Sequence, residues 1–149
     1  RFVASVRGYR GQRLRQCLDR TLEHCSLTSV IHRPIHTLSR GFRQRVCFAQ
    51  SILHEPDVLI MDEPTDGLDP NQKFLVRKMI REMAKEKAIV ISTHILEEVD
   101  AVCSRCIIIN NGQMVAEGTP ETLRLQSPTG RLDDVFRQLT IPKSEVMAT

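Results

Sequence analysis

No stretch of this sequence stays apolar for long. Residues 58–61 form a run of four apolar residues and 107–109 a run of three, far below the roughly 20 that a membrane-spanning helix needs. No secretory leader is visible, and the first residue is Arg1 rather than methionine, so a native start further upstream is expected. The five cysteines are an odd number, which argues against a disulfide framework. Cys103-x-x-Cys106 has the spacing of a redox or zinc pair. No second pair supplies further ligands and an apolar run follows directly, so both are expected to act as small buried hydrophobes. Internal repeats and low-complexity tracts are absent. Glycine is sparse, with seven residues, and nowhere do these form the pattern Gly-x-x-x-x-Gly-Lys-[Ser/Thr] that wraps phosphates in backbone amides.

What is present suits one domain: 149 residues, 41% hydrophobic and 26% charged. The net charge is +3, and much of the excess sits early, at Arg1, Arg7, Arg10, Arg13, Arg15 and Arg20. A basic cluster can serve nucleic acid or an anionic membrane. A solvated helical face explains it more simply, and no nucleic-acid partner is expected.

Apolar spacing predicts a helix over 12–25 through Leu14, Cys17, Leu18, Leu22 and Cys25. Residues 26–37 contain Pro34 and read as a loop. Ser39 looks like the cap of a helix that shows Val46, Ala49, Ile52 and Leu53 on one face. Residues 57–62 fit a strand buried on both faces and stopped by Pro64. Asp69-Pro70-Asn71-Gln72 has the form of a helix start, an Asp cap followed by Pro. Residues 88–92 are a second strand, about 95–102 a helix, and 105–110 a third strand. Asn111-Gly112 is a strong hairpin turn, returning through 113–117. Thr119-Pro120 opens a short helix, and a last helix covers 131–139. The tail from Ile141 is expected to be loose. Strand, helix, strand, helix, strand implies an α/β fold with a mostly parallel sheet and flanking helices, whose strand ends are where ligands bind.

Three groups of residues carry chemistry. Asp62 and Glu63 follow the apolar run, and alternation puts them on opposite sides where the sheet ends. An Asp there can hold Mg²⁺, which prefers hard oxygen ligands. A neighbouring Glu can orient or deprotonate a water that attacks phosphate. Leu38-Ser39-Arg40-Gly41-Phe42-Arg43-Gln44-Arg45 opens a helix, an anion-friendly end where Ser39 offers a hydroxyl and Gly41 lets a phosphate approach the backbone. His94 ends the second strand, one crossover after Asp62, and is expected near Glu63 at the same sheet edge. Taken alone, solvated acids explain the first group as well as metal chemistry does, an ordinary capped helix explains the second, and a structural role explains the histidine.

Together they are specific. Residues 38–45, then Leu59-Ile60-Met61-Asp62-Glu63-Pro64-Thr65, then Gly67-Leu68-Asp69, then Ser92-Thr93-His94 resemble, in this order, the signature, Walker B, D-loop and switch-histidine motifs of the ATP-binding-cassette (ABC) family. The resemblance runs from about Leu14 to Leu139. The form Thr65-Asp66-Gly67-Leu68-Asp69-Pro70-Asn71-Gln72 is similar to the gliding-motility and exporter-type branch. The family's common Leu-Ser-Gly-Gly-Gln is Leu38-Ser39-Arg40-Gly41-Phe42 here, and Arg40 and Phe42 acquire no role from the likeness.

The resemblance implies a P-loop NTPase-like fold, ATP and Mg²⁺ as cofactors, and an ATP-hydrolysing subunit that couples ATP-driven dimerisation to transport, export in type. Asp62 would hold the Mg²⁺ shell, Glu63 would activate water and His94 would sense the γ-phosphate. Ser39, Gly41 and Gln44 would face ATP held by a second nucleotide-binding domain, and Asp69 would lie at the junction. A transmembrane permease would be the other partner, with the subunit cytoplasmic and peripheral at the inner face of the cell membrane. The family's phosphate loop, its adenine-stacking aromatic and its glutamine loop have no counterpart here. The phosphate-loop strand, which in the family lies between the strands matching 88–92 and 105–110, is thus expected to be missing and the cassette truncated and inactive alone. On this reading residues 1–140 are a partial nucleotide-binding domain. Residues 1–56 belong to a helical subdomain with the signature motif, 57–118 to the catalytic core, 119–140 to C-terminal helices, and 141–149 to the tail. Two alternatives stay open: a non-hydrolysing fragment that pairs with an intact cassette, and an ABC ATPase not engaged in transport.

Overall fold

A computed structural model describes residues 2–141, so all of the expected loose tail except Ile141 lies outside the described residues. The chain divides into two compact units, Arg1–Ser92 and Thr93–Thr149.

The first unit begins with a short helix α1 (Phe2–Val6) that the sequence reading did not anticipate. It forms because Ala4, fully buried, completes a small core with Cys17 and Leu53, flanked by Tyr9, Leu14 and Leu18. Helix α2 (Gly11–His24) carries the expected stripe. Its Cys17 Sγ donates to the Leu53 carbonyl at 2.8 Å, which satisfies both groups in an apolar setting. The segment expected as a loop contains two single 3₁₀ turns, Thr28–Val30 and Ile35–Thr37. Helix α3 (Arg40–Ile52) buries Gly41, Arg45, Phe48 and Ala49.

Strand β1 (Val58–Asp62) and strand β2 (Ala88–Ser92) pair in parallel, Val58 opposite Ala88 through Asp62 opposite Ser92. Helix α4 (Pro70–Met83) is the crossover, and its Val76, Met79, Ile80 and Met83 are buried. Beneath the strands Leu59 and Met61 are buried as well. The expectation that β1 is buried on both faces fails. Val58 is 57%, Ile60 83% and Val90 57% exposed. These three share the second face of the pair, and no described residue of the unit covers it. Strand β2 pairs with β1 alone among the described residues.

The second unit holds helix α5 (Leu96–Val102), strands β3 (Cys106–Asn110) and β4 (Gln113–Gly118), and helices α6 (Pro120–Arg124) and α7 (Leu132–Thr140). Strand β3 pairs antiparallel with β4, with a register shift at Ile108/Ile109. The third strand expected in a parallel sheet is therefore one arm of a hairpin. Asn111 and Gly112 take positive φ (50° and 74°), the conformation a two-residue hairpin turn needs to match strand twist. Ile108, Leu123 and Leu132 form the core of this unit, with Leu96, Val99, Val115 and Leu139 packed against it. Cys103 and Cys106 are half-buried rather than buried: Cys103 lies just past α5, and Cys106 opens β3 at the margin of that core. No disulfide links the described cysteines. No helix among the described residues is long and apolar enough to cross a membrane.

Candidate functional site

The C-terminal end of β1 is built by register. Asp62 is the last strand residue, paired with Ser92 of β2, and the Ser92 hydroxyl donates to Asp62 Oδ1. Both lie at the rim of the exposed sheet face. The next residue leaves the strand: Glu63 has φ +45°, yet its N–H still donates to the Ser92 carbonyl at 3.0 Å. The alternation that predicted opposite orientations for Asp62 and Glu63 thus stops at Asp62. A non-glycine residue in the left-handed region carries backbone strain, a feature that clusters at functional sites. Half-buried Glu63 enters a turn in which Asp66 N–H donates to the Glu63 carbonyl and Leu68 N–H to the Thr65 carbonyl. Pro64, Thr65 and Leu68 are buried, which anchors this turn to the core.

Asp69 closes the turn as the cap of α4. Its Oδ1 accepts from Asn71 N at 3.0 Å and Gln72 N at 3.1 Å, with Pro70 in the first helical turn. Ser39 caps α3 in the same way, its Oγ accepting from Phe42 N at 3.4 Å. Both capping assignments follow the sequence. Gly41 has a tighter local reason. It is buried, and a Cβ there would overlap the side chain of Gln72, so the absence of a side chain lets α3 meet the start of α4. Gln44, one turn on, is half-buried. Gly67, at φ +62°, lies under the guanidinium of Arg40, which also pairs with Asp66 at 2.8 Å. Ser39, Gly41, Asp66 and Asp69 thus belong to one constellation in the first unit.

Arg45 is the buried charge of α3, 4% exposed. Its Nη1 donates to the Ser26 carbonyl at 3.1 Å and its guanidinium sits 4.1 Å from the Phe42 ring centre. Burial lowers its pKa, and neighbouring Cys25 partly opposes the fall. Burial pushes the Cys25 thiol up to about 12, with Arg45 offsetting part of the rise.

His94 belongs to the second unit, two residues beyond β2 and just before α5, and it is exposed. Thr93 Oγ1 accepts from Ile95 N at 3.1 Å and fixes the backbone on either side of it.

Hard oxygen atoms of Asp62 and Ser92 meet at an exposed strand end, the donor chemistry Mg²⁺ prefers. Among the described residues no cluster of three or more His, Cys, Asp or Glu side chains could hold a metal. A Mg²⁺ ion that keeps waters and takes substrate phosphates as further ligands requires no such cluster, so the residues fit that ion. Two participants escaped the sequence reading. Ser92 was visible only as a neighbour of the histidine, and Arg40 only as a departure from glycine.

A family model described as ABC transporter matches residues 5–66. The chain is 46% identical over 111 residues to the uncharacterised ABC transporter ATP-binding protein YdbJ of Bacillus subtilis (strain 168), covering 70% of this chain and 36% of that protein. It is 38% identical over 111 residues to Nod factor export ATP-binding protein I of Ralstonia nicotianae, covering 74% and 35% respectively. A solved structure of an ATP-binding subunit of an ABC transporter superposes with a TM-score of 0.74 at 29% identity, over 93% of this chain and 59% of that one. The chain therefore spans little more than a third of these two curated relatives. The mixed α/β fold is that of ABC cassettes, and the chain belongs to the ABC transporter ATP-binding protein family, of whose cassette it spans a part.

Proposed function

We propose that the full-length protein hydrolyses ATP with Mg²⁺ as the nucleotide-binding subunit of an exporter-type ABC transporter. The observation that carries this reading is the rim of β1, where Asp62, Ser92 and the strained Glu63 come together. Asp62 holds the Mg²⁺ shell with Ser92 beside it, and the ion, when bound, offsets charge on the phosphates. The Glu63 carboxylate orients a water and accepts its proton. His94 hydrogen-bonds the terminal phosphate. Ser39, Gly41 and Gln44 face ATP held by a second cassette, and Asp69 lies where the two cassettes meet.

On this account residues 1–56 are part of the helical subdomain, 57–118 of the catalytic core and 119–140 of the C-terminal helices. The subunit works at the cytoplasmic face of a membrane with a permease partner and does not engage nucleic acid. Export is favoured by what the relatives are called, among them the Nod factor export protein and the probable multidrug ABC transporter ATP-binding protein YbhF of Escherichia coli (strain K12). The 149-residue chain, which holds no phosphate-loop motif, is inactive by itself.

ATP turnover of the native full-length protein tests this reading. It is expected to vanish on chelation of Mg²⁺ and to fall by about 100-fold or more in His94→Ala, the scale of a lost general acid–base or phosphate-contacting group. Full activity of His94→Ala would reduce His94 to a structural role, and no Mg²⁺-dependent turnover in the wild type would refute the reading.

A further inference from the structure

The start of α3 and the turn after β1 are tied together twice. Arg40 Nη2 pairs with Asp66 Oδ2 at 2.8 Å, although the two side chains are 59% and 49% exposed. The same guanidinium lies against Gly67, where any Cβ would collide with it. The second tie is Gly41 against the Gln72 side chain, again a contact that a Cβ would block. Each tie joins residues beside a helix cap: Arg40 and Gly41 follow the Ser39 cap, and Asp66, Gly67 and Gln72 flank the Asp69 cap. Two side chains packed against bare glycines and one ion pair thus bring the two caps into contact.

We infer that Arg40 is a positioning residue, a latch that binds the 66–69 turn to the N-terminus of α3 so that Ser39 and Asp69 move as one body. The planar guanidinium suits this role, since one edge bonds the Asp66 carboxylate while its face covers Gly67. A lysine has no flat face and would keep only the charge. An ion pair this exposed contributes little to global stability. Its effect is on the geometry of two loops that, on the functional reading above, must meet a second cassette together. The inference rests on that reading for its consequence in turnover, and on the contacts alone for the latch itself.

The test uses the full-length protein with Arg40→Ala, Asp66→Ala and the exchange Arg40→Asp with Asp66→Arg. Each single change is expected to lower kcat about fivefold, equivalent to about 1 kcal/mol, with KM for ATP moving less than about twofold and the thermal midpoint unchanged. The exchange, which restores the ion pair but not the cover over Gly67, is expected to recover part of kcat. Unchanged kcat in both single variants would overturn the latch, as would failure of the exchange to recover any of it. Loss of kcat in parallel with the thermal midpoint would show a role in folding only. Amide hydrogen exchange at Asp66 and Leu68, read without ATP, tests the latch independently: about fivefold faster exchange in Arg40→Ala is expected. Faster exchange in a protein whose wild type does not turn over ATP would sink the functional reading and leave the latch standing; unchanged exchange would sink the latch whatever the activity.

Discussion

At the scale of single residues, function and packing compete for the same positions. Gly41 reads in the sequence as a place for a phosphate to approach, and the fold uses its bare Cα to seat Gln72. Arg40 reads as a neutral departure from the family pattern, and the fold gives it Asp66 and Gly67. Neither contact follows a periodic signal, because residues far apart in the chain meet only once the helix and the turn are in place. Cys25 is a further case: helical spacing placed it on the buried stripe, but the charge beside it, Arg45, was not legible from that spacing. Its pKa yields a pH prediction. In the unfolded chain a thiol ionises near 9, whereas the folded one, pushed up to about 12 by burial, holds its proton. The unfolded state binds fewer protons in that window, so this thiol's contribution is fully present below pH 9 and is lost as pH rises toward 12. Urea unfolding across that range should show a steeper loss of stability in the wild type than in Cys25→Ala; parallel loss would mean the thiol titrates normally.

At the scale of elements, what could be read was local. Ser39, Asp69 and Thr119 each accept from an N–H of the helix they open, as cap chemistry predicts. Asn111-Gly112 makes the hairpin. Short α1 escaped because five residues offer too little periodicity, and its reason is Ala4 filling a gap beside Cys17 and Leu53. Asp69 satisfies two N–H groups of α4, so Asp69→Ala should destabilise the first unit by about 1 kcal/mol. Urea unfolding monitored by helical circular dichroism checks this. No change would mean that Pro70 alone suffices to start the helix.

At the scale of the molecule, the sequence read correctly as α/β with a parallel sheet and helices, whereas the third strand, expected in that sheet, pairs instead with β4. An apolar run shows that a strand is buried somewhere and does not say what covers it. The face bearing Val58, Ile60 and Val90 is uncovered by the first unit, although these residues are as apolar as the buried Leu59 and Met61. Exposed contiguous apolar surface next to an unpaired strand edge promotes association. The 149-residue chain purified by itself is therefore expected to self-associate, and Ile60→Thr with Val90→Thr to reduce this markedly in light scattering. Equal association in the double variant would locate the sticky surface elsewhere.

The central claim concerns Glu63, the strained residue that follows β1. Glu63→Gln in the full-length protein keeps the shape of the side chain and removes its ability to accept a proton. ATP binding, measured by equilibrium titration, should be retained within a few-fold, while steady-state turnover falls by about 100-fold or more. Turnover equal to that of the wild type would contradict the account.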